Sequence, residues 1–307
     1  IPVSHIFEPV TKWSFSIQRP DLIPESIRKA FKIAKTEKPG PVHVELPSDV
    51  MSERSEGKPL EILLYEPKYP PGGNLEVIEK AFNYIMTAEF PVVLIGNGVI
   101  RAGAGINLKT FVEKLHLPVV STYMGKGAIP EDHPLHLGVL GAFSEDVASR
   151  VVSRADVIVA FGYDFAELPA DYWNKDQKRL MVHIDSTPAE IDKNYPVRYE
   201  IVGNINRTLH FMLEHEITES PMKRQERKRE IEEFKKEINK QFYPSEGDEA
   251  LRPSDIVKVL NETLSDDTIV TVDVGDHKIW MSRCLISRKP RKYLVPNGLA
   301  AMGFSLP

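Results

Sequence analysis

Apolar residues in the middle of the chain follow two alternating patterns, short continuous runs and longer segments with helical spacing. The continuous runs predict buried strands, because a strand covered on both faces loses its alternation of polar and apolar positions. Strands are predicted at 91–99, 117–122, 155–162, 179–185 and 199–204, and helices at 75–88, 108–117 and 205–213. This order predicts an α/β fold with a parallel sheet covered by helices on both faces, in one complete domain at 73–216.

The first 48 residues add one helix, one turn and one strand. The segment 24–34 begins with a proline suited to the first turn of a helix, and a Pro-Gly turn then leads into a short strand. Apolar positions keep helical spacing before the turn and alternate after it, at Ile27, Phe31, Ile33, Val42, Val44 and Leu46. We interpret residues 1–48 as the C-terminal end of another α/β domain.

Two polar segments separate these parts of the chain. Residues 49–72 are rich in proline and include "YPPGG", which is typical of an interdomain linker. Residues 217–249 form a second linker, in which interleaved Lys and Glu over 222–242 predict a charged helix on the surface.

Residues 250–307 begin a third domain. The segment 252–264 predicts a helix, capped at Ser254 and Asp255, with an apolar stripe through Ile256, Val259 and Leu260. A strand follows over 267–275. One complete domain flanked by two partial domains is therefore predicted, and both ends of the sequence resemble cuts in a longer chain.

Composition narrows the functional classes. The 307 residues carry 39 Lys plus Arg and 44 Asp plus Glu, so the net charge of −5 gives no reason to expect nucleic acid as a partner. No apolar run reaches the roughly 20 residues that span a membrane. Cys284 is the one cysteine, which rules out an intrachain disulfide and favours a reducing, cytoplasmic setting.

The segment "IGNGVIRAGA" (95–104) follows a predicted strand and is rich in glycine. Gly96, Gly98 and Gly103 have two interpretations. They admit a pyrophosphate close to backbone amides, or they turn the chain and bind nothing. The spacing differs from the dinucleotide-binding fingerprint, so both interpretations stay open.

The segment "DVGDHKIWMSR" (273–283) places Gly275 at the end of a predicted strand, where open α/β sheets bind ligands. Asp276 and His277 then begin a helix, and His277 is able to donate to an anionic oxygen such as that of a diphosphate. The alternative is that Asp276 caps the helix and His277 faces solvent. The other histidines do not cluster, and Pro134 between His133 and His136 favours loop packing over a metal site.

Several segments taken together resemble the acetolactate synthase family of thiamine-diphosphate enzymes, closest to its catabolic type. They are "VTKWSF", "IRKAFKIAKTEKPGPVHVELPSDV", "YMGKGAIPEDHPLHLGVLG", "VHIDSTPAEIDKNY", "VTVDVGDHKIWMSR" and "NGLAAMGFSLP". The resemblance implies three α/β domains: the end of a pyrimidine-binding domain at 1–48, a central Rossmann-like domain at 73–216, and the start of a pyrophosphate-binding domain at 250–307.

The family condenses two pyruvates to 2-acetolactate and releases CO2, using thiamine diphosphate and Mg²⁺. The resemblance assigns the cofactor to Asp276 and His277 near its diphosphate, to the Ala300 carbonyl at its aminopyrimidine, and to Met302 between its two rings. Ordinary core filling is the alternative for Met302. No catalytic or metal-binding residue is assigned here, because the family's general-acid glutamate lies before residue 1 and its metal ligands lie beyond residue 307. Without them, we expect this chain alone to be inactive.

Many family members also bind FAD in the central domain. The positions that match that pocket are Gly96, Asn97, Gly98, Thr122, Met124, Gly141, Gly162 and Asp185. Flavin-binding relatives carry arginines where this chain has Asp164 and Leu168, and an acid there repels phosphate. The pattern "GYDxxExxxxxWN" from Gly162 resembles the flavin-independent catabolic enzymes, so we predict that FAD is not required.

Two other functions stay open. One is a pyruvate oxidase or 2-oxoacid decarboxylase of the same superfamily, and the other is a non-catalytic binding or assembly module. The resemblance also implies a homodimer or homotetramer, since the family's active site lies between subunits. Lys12 matches a position near the substrate access route, and a surface lysine is an equally good interpretation.

Overall fold

The computed structural model describes residues 1–54, 71–141, 146–242 and 251–306. The chain divides into two compact units, Ile1–Tyr69 and Pro70–Pro307. The first unit contains two parallel strands with helices beside them. Its elements are α1 (Val3–Phe7), β1 (Ser14–Ser16), α2 (Ile23–Lys35), β2 (His43–Glu45) and α3 (Ser48–Ser52), with 3-10 turns at Glu8–Val10 and Pro20–Leu22.

Helix α2 and strand β2 confirm the predicted helix, turn and strand in the first unit. Strand β2 pairs with β1 in parallel, so that Val44 lies opposite Phe15. Helix α3 occupies the start of the predicted linker, and its Val50 is buried. Regular structure therefore extends into a segment that its polar composition assigns to a linker. The later part of that linker, 55–70, lies outside the described residues.

The second unit is built on a six-stranded sheet. Its elements are α4 (Leu75–Thr87), β3 (Val92–Ile95), α5 (Asn97–Arg101), α6 (Gly105–Leu115), β4 (Val119–Ser121), β5 (His136–Val139), α7 (Val147–Arg154), β6 (Val157–Phe161), β7 (Leu180–Asp185), β8 (Val197–Val202), α8 (Ile205–Glu214), α9 (Pro221–Phe242), α10 (Pro253–Thr263), β9 (Val270–Thr271), α11 (Asp276–Cys284) and β10 (Tyr293–Leu294). Two 3-10 turns lie at Tyr123–Gly125 and Ala170–Tyr172.

All pairings in the large sheet are parallel, in the order β5-β4-β3-β6-β7-β8. The chain thus runs outward from β3 in one direction and from β6 in the other, which puts a topological switch point between these two strands. Every residue of β3 and β6 is buried, so both faces of the sheet are covered. Helix α8 contacts both α4 and α6, and α7 contacts α9. The predicted α/β fold class is confirmed.

One predicted strand is too long and one strand was missed. The predicted strand at 91–99 ends at Ile95, and Asn97–Arg101 forms the short helix α5. Strand β5 was not predicted, because Pro134 and two histidines obscure its apolar pattern. Its Leu137 and Val139 are buried all the same, and His136 is buried beside Ser121.

Helix α9 confirms the predicted charged helix but not its placement on the surface. Its residues Arg227 and Ile231 are buried, and Phe234 and Ile238 pack against the main core. These four positions follow helical spacing, so one face of α9 is a docking face despite the high charge. Arg227 donates to the Leu115 and His116 carbonyls at the end of α6 and pairs with Glu219.

The segment from residue 251 has a shorter strand and a different helix face than predicted. The strand expected at 267–275 is reduced to β9, which pairs in parallel with β10. In α10 the buried face carries Val257 and Leu260, whereas Ile256 and Val259 are exposed, so the predicted stripe is displaced. The cap differs as well. The Arg252 backbone N–H donates to the Asp255 carboxylate at 3.0 Å, while Ser254 is buried.

Candidate functional site

The first turn of α11 presents Asp276 and His277 to solvent. Gly275 precedes it with φ 145°, in the region that favours glycine. Helix α11 is nine residues long, and residues 272–275 connect it to β9. The two residues predicted to approach a diphosphate therefore lie exposed at a helix N-terminus, where backbone N–H groups favour anions.

Asp273 joins this turn to the segment that contains Met302. Its carboxylate accepts hydrogen bonds from Val274 N at 2.7 Å and from Gly303 N at 2.8 and 3.0 Å. These hydrogen bonds, Val274 first, hold the pKa of Asp273 below its ordinary value. The structure thus brings Asp276, His277 and the Met302 segment together, through an acid to which the sequence analysis gave no role.

The Met302 segment has an unusual backbone and exposed apolar side chains. Ala300 has φ 48° and the flanking Gly298 and Gly303 have φ 73° and 86°. Leu299 is fully exposed and Met302 is 84% exposed. Met302 is not buried within the described part of the chain, and its position between cofactor rings stays a prediction.

Lys278 and Asn297 connect these segments to the central sheet. Lys278 Nζ donates to the Pro296 carbonyl at 2.7 Å and to Asn297 Oδ1 at 2.9 Å. Asn297 Nδ2 in turn donates to the Glu167 carbonyl at 2.7 Å. Partial burial lowers the pKa of Lys278. The loop before the Met302 segment is therefore held from both sides.

The predicted nucleotide-pocket residues lie at the C-terminal ends of the central strands. Gly96, Asn97 and Gly98 follow β3, Gly162 follows β6, Thr122 and Met124 follow β4, Gly141 follows β5, and Asp185 ends β7. This edge, at the switch point, is where open α/β sheets bind ligands.

The three backbone N–H groups after β3 already have acceptors. Gly96 N donates to Phe161 O at 3.0 Å and Gly98 N to Gly162 O at 2.9 Å. Asn97 N donates to Glu167 Oε1 at 2.8 Å. A Cβ on Gly98 would lie 2.5 Å from Gly162 Cα, so these glycines serve a close backbone crossing. The chain-turning interpretation accounts for Gly96 and Gly98.

Glu167 is the acid at the centre of this edge, and the sequence analysis gave it no role. Its carboxylate accepts from Asn97 N and from the Thr122 hydroxyl. Burial, with a smaller contribution from Asp164, raises the pKa of Glu167 to about 7. The glutamate stands in the "GYDxxE" pattern, which was the signal available in the sequence. Its carboxylate takes the donors that a phosphate would need.

Asp185 and Gly141 show what the rest of this edge holds. Asp185 is buried, and its Oδ1 accepts from Ser186 N at 2.6 Å. Its Oδ2 is buried with no hydrogen-bond partner within the described part of the chain. A Cβ on Gly141 would lie 2.2 Å from the Tyr123 hydroxyl, so this glycine makes room for a tyrosine ring.

The remaining candidates are accounted for by local contacts. His133 Nε2 lies 3.0 Å from Glu113, and no cluster of three or more possible metal ligands occurs among residues that the structure describes. Lys12 Nζ donates to the Thr36 and Lys38 carbonyls after α2. Within the described ranges, no helix combines the length and apolar character needed to cross a bilayer.

Comparisons with known proteins agree with the motifs. A family model described as the central domain of thiamine pyrophosphate enzymes matches residues 78–212, and one described as their C-terminal TPP-binding domain matches residues 273–307. A probable acetolactate synthase large subunit from Methanocaldococcus jannaschii is 37% identical over 98% of this chain and 53% of its own length. An acetolactate synthase from Bacillus subtilis is 32% identical over 98% of this chain and 53% of its own.

The acetolactate synthase isozyme 3 large subunit of Escherichia coli is likewise 32% identical, over 98% of this chain and 54% of its own length. The chain spans about half the length of the curated relatives it matches. The similarity is continuous along the chain, rather than limited to one motif.

Proposed function

Because this chain belongs to the thiamine pyrophosphate enzyme family, we propose that the intact protein is an acetolactate synthase, which condenses two pyruvates to 2-acetolactate and releases CO2. The similarity to acetolactate synthases over nearly the whole chain supports this activity. The observation that carries it is the arrangement around Asp273, which holds the Met302 segment beside the exposed turn of Asp276 and His277.

The assignment of domains along the chain is part of the same proposal. Residues 1–48 end a pyrimidine-binding domain, 73–216 form the central domain, and 250–307 begin the pyrophosphate-binding domain, with connections at 49–72 and 217–249. The family models at 78–212 and 273–307 support the second and third assignments. Docking of α9 on the main core makes the second connection a structural part of the unit.

The residues around α11 fit thiamine diphosphate. When bound, the cofactor supplies the electron sink for decarboxylation. The N-terminus of α11 and the His277 imidazole are placed to donate to an anionic group, and the exposed Met302 offers an apolar contact for a ring. Asp273 links the segments that carry these groups through its hydrogen bonds to Gly303 N. Mg²⁺ is proposed from the family resemblance alone.

Flavin, by contrast, does not fit the central edge. The N–H groups of Gly96, Asn97 and Gly98 are engaged, and the Glu167 carboxylate occupies the donors at Asn97 and Thr122. A diphosphate placed there would meet the acids Glu167 and Asp164. We therefore propose that the enzyme works without FAD.

Setting and assembly complete the proposal. A cytoplasmic enzyme is consistent with the single buried cysteine and the net charge of −5. Homodimer or homotetramer formation is proposed from the family resemblance, and light scattering on the intact protein tests it. A monomer that turns over pyruvate would contradict this assembly.

Turnover by the intact protein tests the activity. Pyruvate, thiamine diphosphate and Mg²⁺ are added without flavin, and acetolactate and CO2 are measured. We expect acetolactate with no requirement for FAD, and a higher half-saturating thiamine diphosphate concentration for His277→Gln. Peroxide formation with bound flavin would identify an oxidase, and free aldehyde a decarboxylase. Cofactor binding without any turnover would leave the non-catalytic module.

A further inference from the structure

Lys126 is a buried lysine in the loop after β4, outside both sites described above. Its ammonium group donates to three residues: the Glu131 carboxylate at 2.6 Å, Ser282 O at 2.9 Å and Leu285 O at 2.9 Å. A lysine carries three N–H donors, so its hydrogen-bonding capacity is used in full. A charge buried this completely is costly unless each of these contacts is in place.

Glu131 completes the pair from the other side. Its Oε2 also accepts from Ser287 N at 2.8 Å, and its own N–H donates to Ser287 O. Burial raises the pKa of Glu131 and lowers that of Lys126, while their mutual attraction opposes both changes. Together, Lys126 and Glu131 form hydrogen bonds to the backbone of Ser282, Leu285 and Ser287.

These residues lie at and just after the C-terminal end of α11. Leu285 caps the helix and Ser282 lies in its last turn, so Lys126 places a positive charge where helix carbonyls lack partners. The opposite end of the same helix carries Asp276 and His277. A helix of this length behaves as a rigid rod, so movement at one end displaces the other.

Lys126 is itself held firmly on the central sheet. Its neighbour Gly125 packs so closely that a Cβ would lie 2.4 Å from Ile95 O, at the end of β3. A Cβ on Gly127 would lie 2.4 Å from Lys289 O. Two glycines thus let the backbone around Lys126 approach both the sheet and the segment after α11.

We propose that Lys126, paired with Glu131, is a positioning residue that fixes α11 on the central sheet and so sets the geometry of the helix end that binds thiamine diphosphate. The cofactor part of this inference rests on the proposed function. Lys126 does not touch the cofactor end, so its effect on the reaction is indirect.

The test compares Lys126→Met with a matched control, Lys235→Met. Lys235 also donates its ammonium protons to two carbonyls, His133 O and His136 O, but it anchors α9 instead of α11. A second variant, Lys126→Met with Glu131→Gln, leaves no unpaired charge but restores no donor to the α11 carbonyls. This double variant separates an effect on the position of α11 from a loss of stability, because removing both charges avoids the free-energy cost of burying an unpaired charge.

Two measurements are made on each variant of the intact protein. Trp280 lies on α11, so the fluorine resonance of 5-fluorotryptophan at this position, assigned with Trp280→Phe, reports the helix without any cofactor. The second readout is turnover as a function of thiamine diphosphate. We expect both Lys126 variants to shift the Trp280 resonance and to raise the half-saturating cofactor concentration about tenfold or more. We expect kcat at saturation to change by less than about threefold, and Lys235→Met to change neither readout.

An unmoved Trp280 resonance in both Lys126 variants would overturn the proposal. So would a shifted resonance with unchanged cofactor saturation, or equal effects of Lys235→Met. If neither parent nor variants bind thiamine diphosphate, the proposed function fails instead. The fluorine resonance still decides in that case whether Lys126 fixes α11.

Discussion

The central sheet and the segment from residue 270 onward differ in the interactions that stabilise each of them. In the sheet, β3 and β6 are buried at every position, and α8 packs beside both α4 and α6. In the later segment the two strands have two residues each, and Leu299 and Met302 are exposed. The sheet depends on a large apolar core, whereas the later segment combines a smaller apolar cluster with polar ties.

Some of those ties cross to the central region, and others lie within the later segment. Arg283 donates to Asp146 at 2.6 Å, Lys278 bonds the loop at Pro296 and Asn297, and Lys126 holds the end of α11. Such bonds set direction and distance more strictly than apolar contacts do. The comparison teaches that substitutions in the sheet should change stability, and those in the later segment should change position and therefore function.

The largest expected effect on stability is in the sheet. Phe161→Ala, at a fully buried position of β6, should lower the free energy of unfolding by about 3–5 kcal/mol through lost burial and a cavity. Urea unfolding followed by Trp173 fluorescence measures it. Ile106→Ala, at an exposed position of α6, is the control and should stay within about 0.5 kcal/mol. Equal effects would show that the sheet is not the main source of stability.

Arg227→Met tests whether a buried ion pair in the central region contributes as much to the free energy of unfolding as apolar burial does. It leaves Glu219 buried without its partner, and we expect a loss of about 3 kcal/mol in the same urea titration. Arg150→Met removes the exposed pair with Glu237 on the same helix α9 and should cost about 0–1 kcal/mol. A small effect at Arg227 would mean that the apolar residues alone hold α9.

Glu167 links the two regions, and its raised pKa gives a pH dependence of known sign. Because the folded pKa of about 7 exceeds the ordinary 4.5, the native state binds the extra proton between these values, and stability falls as pH rises through them. The full change is about 3 kcal/mol, at 1.36 kcal/mol per pKa unit. Glu167→Gln should flatten this slope in unfolding measured from pH 4.5 to 8. If the pH dependence of the free energy of unfolding is unchanged in Glu167→Gln, it arises from other titrating groups.

The smallest effect on stability is expected at Met302. Met302→Ala should change the free energy of unfolding by less than about 0.5 kcal/mol, since the side chain is exposed, yet it should lower turnover. Met181→Ala is the same substitution at a buried position of β7 and should cost about 2–5 kcal/mol. Urea unfolding and pyruvate turnover of both variants test the contrast, which fails if Met302→Ala destabilises as much as Met181→Ala.

Local patterns in the sequence predicted much of this structure. Continuous apolar runs gave β3, β4, β6, β7 and β8 within a few residues, and the charged repeat gave α9. Strand β5 was missed because its histidines and a nearby proline resemble a loop. The helical spacing of Arg227, Ile231, Phe234 and Ile238 was present in α9, but its high charge concealed the docking face.

The candidate sites divide in the same way. Asp276, His277 and Met302 were identified from their segment motifs, and the structure brings their segments together. Asp273, Glu167 and Lys126 were given no role, because each acts on a partner distant in the sequence. Asp273 bonds to Gly303, Glu167 to Asn97 and Thr122, and Lys126 to the end of α11.

The sequence by itself therefore determined the α/β class, the core strands and the family, since periodicity and motifs are properties of neighbouring residues. Only the tertiary structure decided which polar groups meet. It placed Glu167 against the backbone N–H after β3 and Lys126 under α11. The physical reason is that a buried charge needs hydrogen-bonding partners. These partners come from segments distant in the sequence, so the residues next to the charge do not identify them.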